Sequence, residues 1–534
     1  MVCAKRRDVR SRTDGPSVFL VLCSLPPFQT VFLLMICVSI ARTRHKMVLA
    51  EHQTLARQGV PLVELRLDWL SKSPDVARLI KDRPTPVVVT CRRREDGGQW
   101  AGTEEERRRV LRTAIISGAD YVDLEADIAP LIPRYGTTKR IVSHHDFTET
   151  PANLENLWAR LAAGNPDIIK LVTTANSPGD CVRVLKLVSQ AKIPTVGFCM
   201  GDFGTLSRIL CGKYGSPFTY ASFSNERVLA PGMLTFQEMK DVYRYDQING
   251  ETQVFGVLGD PIGHSLSPLL HNRAMSQVGF NGVYIPFRVT SDQLAQTLSD
   301  FEWLNVRGYS VTLPHKEAVL AHVATCEDFV RQIGAANTLS LDPAGFWQGD
   351  NTDYAAALES LQLALRSGET LEGKKVLMLG AGGVARAIGR GVCQLGASLV
   401  IASKTSSRAE ALAGLLGCRQ TTWNNRGAEF ADILINCTPV GMSPNFDQSP
   451  FQQNWFRDEM VVFDTIYNPE QTLLLKEARA HNCRTVSGLE MFIRQAAAQF
   501  QRFTGQPAPL ETFRETLRQG ISPAQRHGIG FHDS

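Results

Sequence analysis

The feature that most constrains the fold is a strict alternation of short apolar runs and amphipathic runs in the first half of the chain. The amphipathic runs, among them 104–117, 153–163 and 178–190, have the spacing of helices. Eight strands that alternate with helices over about two hundred residues predict a (β/α)8 barrel, an α/β fold. The eight runs with the length and composition of strands are 36–40, 62–66, 86–91, 121–125, 140–143, 167–172, 194–199 and 218–222.

Polar side chains stand at the ends of these expected strands. In a (β/α)8 barrel the carboxyl ends of the strands meet at one mouth, and the chemistry is found there. The arginines among these polar residues provide a positive field that suits an anionic substrate. The residues placed at the mouth are Glu64, Arg66, Arg92, Asp123, Glu125, His144, His145, Lys170 and Arg208.

Two of these residues have more than one interpretation. Lys170 lies within Ile-Ile-Lys-Leu-Val, where burial favours a neutral amine that can attack a carbonyl. An inward lysine paired with a carboxylate explains the pattern equally well. His145 ends the fifth expected strand, where it is either structural or shuttles the proton removed beside an iminium carbon.

The sequence pattern changes near residue 255, where an apolar run ends in Gly-Asp-Pro. This turn leads to Ser265 and Ser267. Pro268 is expected as the first helical residue after an N-capping Ser267. Two hydroxyls beside free helix amides suit a small carboxylate. The spacing alone also fits an ordinary capped helix.

Lys316 follows an expected strand that ends at Thr312, with a helix expected to begin at Pro314. The lysine would then lie in a first helical turn, where the helix dipole disfavours a cation. A residue that opposes the local electrostatics is often functional, although a solvated lysine fits as well. Loop segments 334–338 and 349–353 add the amide of Asn337 and the carboxylate of Asp353.

A dinucleotide fingerprint follows the apolar strand at 375–379. The pattern Gly-x-Gly-x-x-Ala, which includes Gly380, Gly382, Gly383, Val384 and Ala385, opens a helix where pyrophosphate approaches backbone amides. The next expected strand, 399–402, ends without an acid for a ribose 2′-hydroxyl. Strands at 433–436 and 461–464 and the loop with Thr438 complete a doubly wound sheet. Hydroxyls and cations that suit the 2′-phosphate of NADP stand at the end of strand 399–402: Ser403, Lys404, Thr405 and Arg408.

The length, net charge and cysteine content of the chain limit its domain number, its partners and its compartment. A chain of 534 residues exceeds one core, and its net charge of +4 is too balanced to indicate nucleic acid or an anionic membrane as partner. Its 12 scattered cysteines are interpreted as reduced thiols of a cytoplasmic protein, with no metal site. Residues 17–40 carry no charge, but Pro26 and Pro27 interrupt them, so we expect no membrane span and a fold that begins at Met35.

The expected domains follow from these patterns. Residues 1–34 are an extension that is disordered or not native, and residues 35–246 form the barrel. Residues 253–355, completed by 489–520, form a substrate-binding α/β domain, and residues 370–488 form a Rossmann domain. The polar stretch 243–252 is interpreted as the linker, and the chain as a monomer or weak homo-oligomer.

The first half resembles type I 3-dehydroquinate dehydratase in 64–68 (ELRLD), 90–92 (TCR), 143–147 (SHHDF), Lys170 and 230–232 (APG). The resemblance implies that Lys170 forms an imine with the substrate ketone and that His145 is the general acid/base. Where the family usually continues with glutamine, this chain has Met233, whose thioether replaces neither amide group. The resemblance further implies substrate binding by Glu64, Arg66, Arg92, Arg208 and Ser216.

The second half resembles shikimate dehydrogenase in the serine pair, 311–316 (VTLPHK), 351–353 (NTD), 436–439 (NCTP) and 464–467 (DTIY). The resemblance implies that Lys316 and Asp353 form the catalytic couple, with NADP as cofactor. Ser403-Lys404-Thr405 departs mildly from the usual Asn-Arg-Thr. Gly488 is expected at the cofactor. The resemblance implies substrate binding by Ser265, Ser267, Thr312, Asn337, Tyr467 and Gln495.

The two resemblances imply consecutive reactions on small cyclic acids. The first half would dehydrate 3-dehydroquinate to 3-dehydroshikimate, and the second would reduce that product to shikimate with NADPH. Transfer of the intermediate between the sites is a further expectation. Two alternatives remain: a non-catalytic quinate/shikimate sensor, against which the four catalytic residues argue, and an NAD-dependent quinate/shikimate dehydrogenase, against which the missing acid near Ser403 argues.

Overall fold

The first half of the chain folds into a nearly closed barrel of parallel strands. The computed structural model describes residues 34–263 and 265–521. The barrel strands are β1 (Met35–Ile40), β2 (Leu62–Arg66), β3 (Val87–Thr90), β4 (Tyr121–Glu125), β5 (Lys139–His145), β6 (Ile168–Thr174), β7 (Thr195–Met200) and β8 (Phe218–Ala221). They are hydrogen-bonded in the order β7-β6-β5-β4-β3-β2-β1-β8. The predicted barrel is therefore confirmed.

Helices connect most successive barrel strands, and their ends follow local capping rules. Thr103 and Glu106 form a reciprocal capping box at the start of one helix, and Pro178 opens another. Between β4 and β5 a short 3-10 turn, Ala129–Leu131, takes the place of a helix. The helices are α1 (His45–Arg57), α2 (Val76–Ile80), α3 (Glu104–Ile116), α4 (Leu154–Ala162), α5 (Pro178–Gln190) and α6 (Thr205–Leu210).

A mixed six-stranded sheet follows the barrel. Its strands are β9 (Gln253–Gly259), β10 (Gly282–Arg288), β11 (Val306–Val311), β12 (Thr325–Cys326), β13 (Thr338–Leu341) and β14 (Trp347–Asp350). They lie in the order β10-β9-β11-β13-β14-β12, with β13 antiparallel to β11 and β14. The helices of this region are α7 (Ser267–Gln277), α8 (Leu294–Asp300), α9 (Asp328–Ile333) and α10 (Thr352–Ala364).

The third sheet is wholly parallel and has Rossmann topology. Its strands are β15 (Lys375–Leu379), β16 (Ser398–Ser403), β17 (Arg419–Thr422), β18 (Ile433–Asn436), β19 (Val461–Asp464) and β20 (Arg484–Ser487). They lie in the order β17-β16-β15-β18-β19-β20, the order of a dinucleotide-binding fold. The associated helices are α11 (Gly383–Gln394), α12 (Ser406–Leu416) and α13 (Leu473–Ala480).

Two final helices return from the Rossmann sheet to the mixed sheet. They are α14 (Gly488–Thr504) and α15 (Leu510–Ile521). The aromatic side chains Phe500 and Phe503 of α14 and Phe513 of α15 are buried in one cluster with Phe255 of β9. The end of the chain therefore completes the core of the middle region. Across residues 34–263 and 265–521, no helix has both the length and the apolar character needed to cross a membrane.

Two local predictions were wrong, and a third stretch is more firmly held than its polar composition indicates. Helix α7 begins at Ser267 itself, so this serine is not the N-cap, and the backbone N–H of Ser267 donates to Ser265 Oγ at 3.3 Å. Residues 313–317 form turns, and a 3-10 helix begins only at Ala318, so Lys316 does not lie in the first turn of a helix. The stretch interpreted as a linker is anchored, because Tyr245 is fully buried. The prediction for residues 1–34 lies outside the described residues, apart from Leu34.

Candidate active sites

A small cavity of about 70 Å3 lies at the carboxyl ends of the barrel strands. It brings together most of the barrel residues that the sequence indicated. Its lining includes Ser39, Glu64, Arg66, Arg92, Asp96, His145, Phe147, Lys170, Phe198, Met200, Arg208, Tyr220, Leu229 and Met233. His144 is not among these residues, because neighbours along a strand point in opposite directions. It lines a separate cavity of about 410 Å3 beside α4.

Lys170 is held between two carboxylates in the barrel cavity. Its Nζ lies 3.2 Å from Asp123 Oδ2 and 3.4 Å from Glu64 Oε1, and the side chain is 5% exposed. The same ammonium lies 4.0 Å from the ring centroid of Tyr220. The lysine is therefore buried and paired with carboxylates, as one of the two interpretations expected, and its role as a nucleophile stays a prediction. Burial opposes ionisation of Glu64, but Lys170 and Arg66 keep the pKa of this carboxyl below its usual value.

Arg92 organises the other side of this charge cluster. Its Nη2 lies 2.9 Å from Asp123 Oδ1, and its Nη1 lies 3.2 Å from His145 Nδ1. Burial opposes ionisation of Asp123, but Arg92 and Lys170 lower its pKa to about 2. Burial, Arg92 and Lys170 all lower the pKa of His145 well below its usual value. Because arginine only donates, His145 accepts at Nδ1 and is a neutral imidazole.

Arg208 is the cation of the cavity best suited to bind a carboxylate of the substrate. Its side chain is fully buried, and the guanidinium stacks on Phe198 at 4.3 Å. Among the described residues its Nε has no hydrogen-bond partner, and burial lowers its pKa to about 10. Arg66, by contrast, is paired with both carboxylate oxygens of Asp68. A substrate carboxylate at Arg208 would satisfy this buried charge.

Ser216 was placed wrongly by the sequence argument. It precedes β8, at the amino end of the barrel, and its hydroxyl donates to the backbone oxygen of Phe218 at 2.9 Å. A residue at that end cannot contact a substrate in the opposite mouth. The β8 loop instead contributes Leu229 and Met233 to the cavity, so the lining there is apolar.

The serine pair lies at the start of α7 in the middle region. Ser267 is buried and Ser265 is half-buried, and Ser265 Oγ accepts from the backbone of Ser267. A serine hydroxyl can donate while it accepts, so the chemistry of both side chains suits a ligand carboxylate. The neighbouring turn is anchored because the N–H of Asp260 donates to the backbone oxygen of Leu313, the residue after Thr312.

Lys316 and Asp353 form a close ion pair. Nζ of Lys316 lies 2.6 Å from Asp353 Oδ2, and both side chains are largely buried. Asp353 stands in the first turn of α10, which Asn351 caps by accepting from the backbone of Tyr354. The stem of Lys316 lies beside Gly383, the first residue of α11. The couple therefore lies where the mixed sheet meets the Rossmann fold.

The other residues expected at the substrate differ in how their side chains are engaged. Asn337 is internally engaged, since its amide bonds to both the backbone and the side chain of Thr352. Gln495 donates to the backbone oxygen of Phe492, and Tyr467 stacks on the Phe492 ring at 4.3 Å. Sequence reasoning missed Gln499, which joins Ser310 Oγ to the backbone of Asn337 from α14.

The start of α11 has the form of a dinucleotide cradle. Gly380 adopts φ +109°, and a Cβ there would lie 2.8 Å from the backbone oxygen of Cys437. A Cβ on Gly382 would meet open space, so a ligand can approach the helix amides. Val384 and Ala385 continue the first turn of α11. The chain therefore fits the pyrophosphate of a dinucleotide at this point.

Exposed cations stand at the adenosine end of this cradle. Lys404 and Arg408 are exposed after β16, and Ser403 Oγ accepts from the backbone of Thr405. Lys404 lies 5.7 Å over the ring of Trp423, a residue that sequence reasoning missed. These groups fit a 2′-phosphate. Thr438 is fixed by Asn436 Oδ1, to which its N–H and hydroxyl both donate at 3.0 and 2.7 Å.

Gly488 lies at the first position of α14, where the backbone of Thr465 and Ile466 leaves no room for a side chain. Glycine is therefore required at this position for packing against the end of β19, whether or not Gly488 also contacts the cofactor. Asp464, at the same strand end, accepts from Asn436, Thr472 and the backbone of Ile466. This network fixes the loops that border the cradle.

The fold and the two lysine-centred sites define a class: an α/β protein that joins a barrel lyase to a dinucleotide-dependent dehydrogenase. Family models match in the same order. Type I 3-dehydroquinase matches residues 36–250, the shikimate dehydrogenase substrate-binding domain matches 257–339, and the shikimate 5′-dehydrogenase C-terminal domain matches 488–518. The model of coenzyme F420-dependent NADP oxidoreductases matches residues 375–462.

Curated relatives agree with this assignment. The chain is 38% identical over 480 residues to the chloroplastic bifunctional 3-dehydroquinate dehydratase/shikimate dehydrogenase of Arabidopsis thaliana. The aligned region covers 85% of this chain and 79% of the relative. It is also 38% identical to the shikimate dehydrogenase (NADP(+)) of Moorella thermoacetica, over 52% of this chain and 96% of the relative. The chain belongs to the family of bifunctional 3-dehydroquinate dehydratase/shikimate dehydrogenases.

Proposed function

We propose that the chain converts 3-dehydroquinate to shikimate in two steps at two sites. The barrel removes water to give 3-dehydroshikimate, and the second half reduces the ketone of that product with NADPH. The observation that carries the proposal is the presence of two buried lysine–carboxylate centres in one chain: Lys170 with Asp123 and Glu64, and Lys316 with Asp353 beside α11.

In the barrel, Lys170 attacks the ketone carbon and the carbonyl oxygen leaves as water, which gives an imine. Lys170 attacks as the neutral amine, so its ammonium, which Asp123 and Glu64 hold within 3.4 Å, first loses a proton. Neutral His145 then takes the proton from the carbon beside the imine and returns it to the leaving hydroxyl. Hydrolysis of the imine restores Lys170, so the net change is the loss of one water.

The charged side chains of the barrel cavity are assigned to different parts of the substrate. Arg208 binds the carboxylate, because its buried guanidinium stacks on Phe198 and forms no ion pair with a carboxylate within residues 34–263 and 265–521. Glu64, Arg66 and Arg92 border the hydroxyl positions of the ring. Ser216 has no part in binding.

In the second half, NADPH supplies a hydride to the ketone carbon when it is bound. Lys316 donates a proton to the carbonyl oxygen, and Asp353 orients the ammonium through their 2.6 Å contact. Ser265 and Ser267 hold the carboxylate, and Thr312, Asn337, Tyr467 and Gln495 border the ring. The residues that would hold the cofactor are Gly380, Gly382, Gly383, Val384, Ala385, Ser403, Lys404, Thr405, Arg408, Thr438 and Gly488.

Covalent trapping tests the barrel mechanism. Borohydride reduction in the presence of 3-dehydroquinate should add the mass of the reduced substrate adduct to the peptide with Lys170. Lys170→Ala should abolish both labelling and turnover, whereas Lys139→Ala, at the amino end of β5, should retain both. Active wild-type protein without a label would refute the imine.

Loss of the general acid tests the second site. Lys316→Ala should lower shikimate oxidation by about 10² to 10⁴-fold while NADP binding survives, since only proton transfer is lost. Lys476→Ala, which removes an exposed lysine of α13, is the matched control. Equal losses in both variants, or loss of NADP binding in Lys316→Ala, would contradict the assigned role.

The two alternative functions predict different results. A non-catalytic sensor would bind quinate or shikimate without turnover, although all four expected catalytic residues are in contact networks here. An NAD-dependent dehydrogenase would prefer NAD, whereas Lys404 and Arg408 favour the 2′-phosphate of NADP. A kcat/KM ratio measured with both cofactors decides between these assignments.

Domain limits, assembly and location are proposals as well. We propose the domains 35–246, 253–355 with 489–520, and 370–488, and a monomer or weak homo-oligomer, which light scattering after gel filtration would measure. A cytoplasmic location agrees with free thiols at every cysteine that the structure describes. The name of the Arabidopsis relative indicates the chloroplast for that protein, so imaging of the tagged full chain is the test.

A further inference from the structure

The barrel and the middle region are in direct contact, and this contact is built from specific side chains. Tyr214 stacks on Trp303 with 4.6 Å between ring centroids, and its hydroxyl donates to the backbone oxygen of Leu304 at 3.3 Å. Lys186 of α5 lies 5.7 Å over the same tryptophan ring. The Gln293 amide donates to the backbone oxygen of Asn176 at 3.3 Å. Both halves therefore present ordered groups to each other.

Arg288 forms the most specific link across this contact. It ends β10, and its Nη1 donates to Asp202 Oδ2 of the barrel at 2.6 Å. Its Nε donates to Asp260 Oδ1 of the middle region at 2.9 Å. The guanidinium also lies 5.2 Å from the ring centroid of Phe203. One planar cation thus joins a carboxylate of each half, a geometry for which arginine is suited.

Each carboxylate of this link stands in a segment that leads to a substrate site. Asp202 lies between β7 and α6, the helix that carries Arg208. Asp260 lies in the turn between β9 and Ser265, and its N–H donates to the backbone of Leu313 at 3.0 Å. The link therefore connects the segment behind the barrel cavity with the segment that presents the serine pair.

The turn with Asp260 lies partly at the surface, since Asp260 itself is half-buried. A Cβ on Gly263 would meet open space, and Ser265 is half-buried. Binding energy for a carboxylate is highest when its donors are already in position, because ordering a loop on binding subtracts from affinity. Arg288 is 35% exposed, so without Asp202 it gains rotamer freedom and holds Asp260 less firmly.

We propose that Arg288 and Asp202 are positioning residues for the carboxylate-binding loop of the dehydrogenase. A side chain of the barrel thereby sets the affinity of the other active centre for its substrate. This inference rests on the proposed function of the second half. Neither residue touches substrate, so the expected effect is on KM for shikimate, about two- to fivefold for an ion pair in which Asp202 is 69% exposed.

The test measures NADP-dependent shikimate oxidation by the full chain. Asp202→Asn and Arg288→Gln should each raise KM for shikimate about two- to fivefold, with kcat and KM for NADP unchanged from wild type. Arg288→Lys should restore part of the affinity, because it keeps the charge but not the planar fork. The double variant should be no worse than Arg288→Gln alone, since both changes break one link.

Glu155→Gln is the matched control, because it removes an exposed carboxylate from α4 of the same barrel. An Asp202→Asn protein with the shikimate KM of this control would overturn the inference. So would a loss of kcat and NADP affinity in step with KM, which indicates general damage. Wild-type protein that does not oxidise shikimate would instead refute the proposed function.

Discussion

At the scale of single residues, the barrel cavity shows how neighbours decide which form of a titratable group is present. Arg92 contacts both Asp123 and His145, and it stabilises the carboxylate while it disfavours the imidazolium. Because Arg92 stays charged, it keeps Asp123 ionised and the neighbouring His145 neutral, so that His145 can act as a base. The sequence indicated these residue types, but the assignment of charges depends on contacts between strands.

The low pKa of His145 predicts the pH dependence of dehydration. Burial, Arg92 and Lys170 favour the neutral imidazole, so protonation of this base requires a pH well below its usual value. The kcat/KM for 3-dehydroquinate should therefore stay level as the pH falls from 8 to below 6. Initial rates measured across this range test the claim. A loss of wild-type activity centred near pH 6.5 that persists after correction for substrate ionisation would contradict it.

Replacement of Met233 by glutamine is expected to increase the affinity of the barrel site for 3-dehydroquinate. Its thioether lines the cavity where the family usually has an amide, and a restored hydrogen bond to an ionised group contributes roughly 1.5 kcal/mol or more. Met233→Gln should lower KM for 3-dehydroquinate by about tenfold, whereas Met233→Leu should leave it unchanged. Equal KM values for the two variants would show that this position does not reach the substrate.

His271 predicts a gain in stability. The ring is fully buried against Tyr284 and Phe500, and in the part of the chain that the structure describes neither ring nitrogen has a hydrogen-bond partner. Burial lowers its pKa to about 3. The unfolded chain takes up a proton below about pH 6.5 and the folded chain does not, so this residue reduces stability as the pH falls through that range.

His271→Phe should therefore raise the free energy of unfolding by roughly 1–2 kcal/mol at pH 7, and by more at pH 5. Urea titrations at both values measure the difference. A variant whose advantage is the same at pH 5 and pH 7 would contradict the titration argument, and a less stable variant would show that the ring does not fit.

At the scale of elements, α11 depends on the conformation before it. Gly380 has a positive φ and lies against the backbone of Cys437, so Gly380→Ala adds both strain and a clash. We expect NADP affinity to fall by about tenfold or more because the cradle must shift. Gly414→Ala, within α12 and in open space, is the control. Calorimetric titration with NADP measures both, and equal affinities would refute the cradle.

Most elements could be predicted because parallel strands are apolar throughout and are separated by capped helices. The strands Leu62–Arg66, Tyr121–Glu125, Ile433–Asn436 and Val461–Asp464 have the predicted bounds. Lys316 was assigned to a helix because Pro314 resembles a helix start, yet that segment forms turns. Ser216 was misplaced although it precedes the predicted strand 218–222, a position that already indicates the amino end of the barrel, opposite to the mouth.

The contacts within the sites could not be predicted, since they depend on register around the barrel. Asp123 and Lys170 are separated by 47 positions, and strand β5 lies between their strands. Sequence patterns place both residues in strands but do not show that Lys170 reaches two carboxylates. The same holds for Gln499, whose position in α14 gives no sign of its contact with Ser310.

At the scale of the whole molecule, two active centres share a chain whose halves are joined by more than a connecting segment. Tyr245 is fully buried in that segment, and Tyr214 stacks on Trp303 across the contact. Transfer of the intermediate between the sites remains a prediction. A coupled assay should show a shorter lag than an equimolar mixture of Lys170→Ala and Lys316→Ala chains, and equal lags would refute transfer.

The central claim is that one chain carries out dehydration and reduction in sequence. The most direct measurement supplies the purified protein with 3-dehydroquinate and NADPH, identifies the final product by mass spectrometry and follows NADPH consumption. The account predicts shikimate, with one NADPH consumed for each molecule formed. Unchanged 3-dehydroquinate and NADPH, under conditions in which the protein is folded, would contradict it.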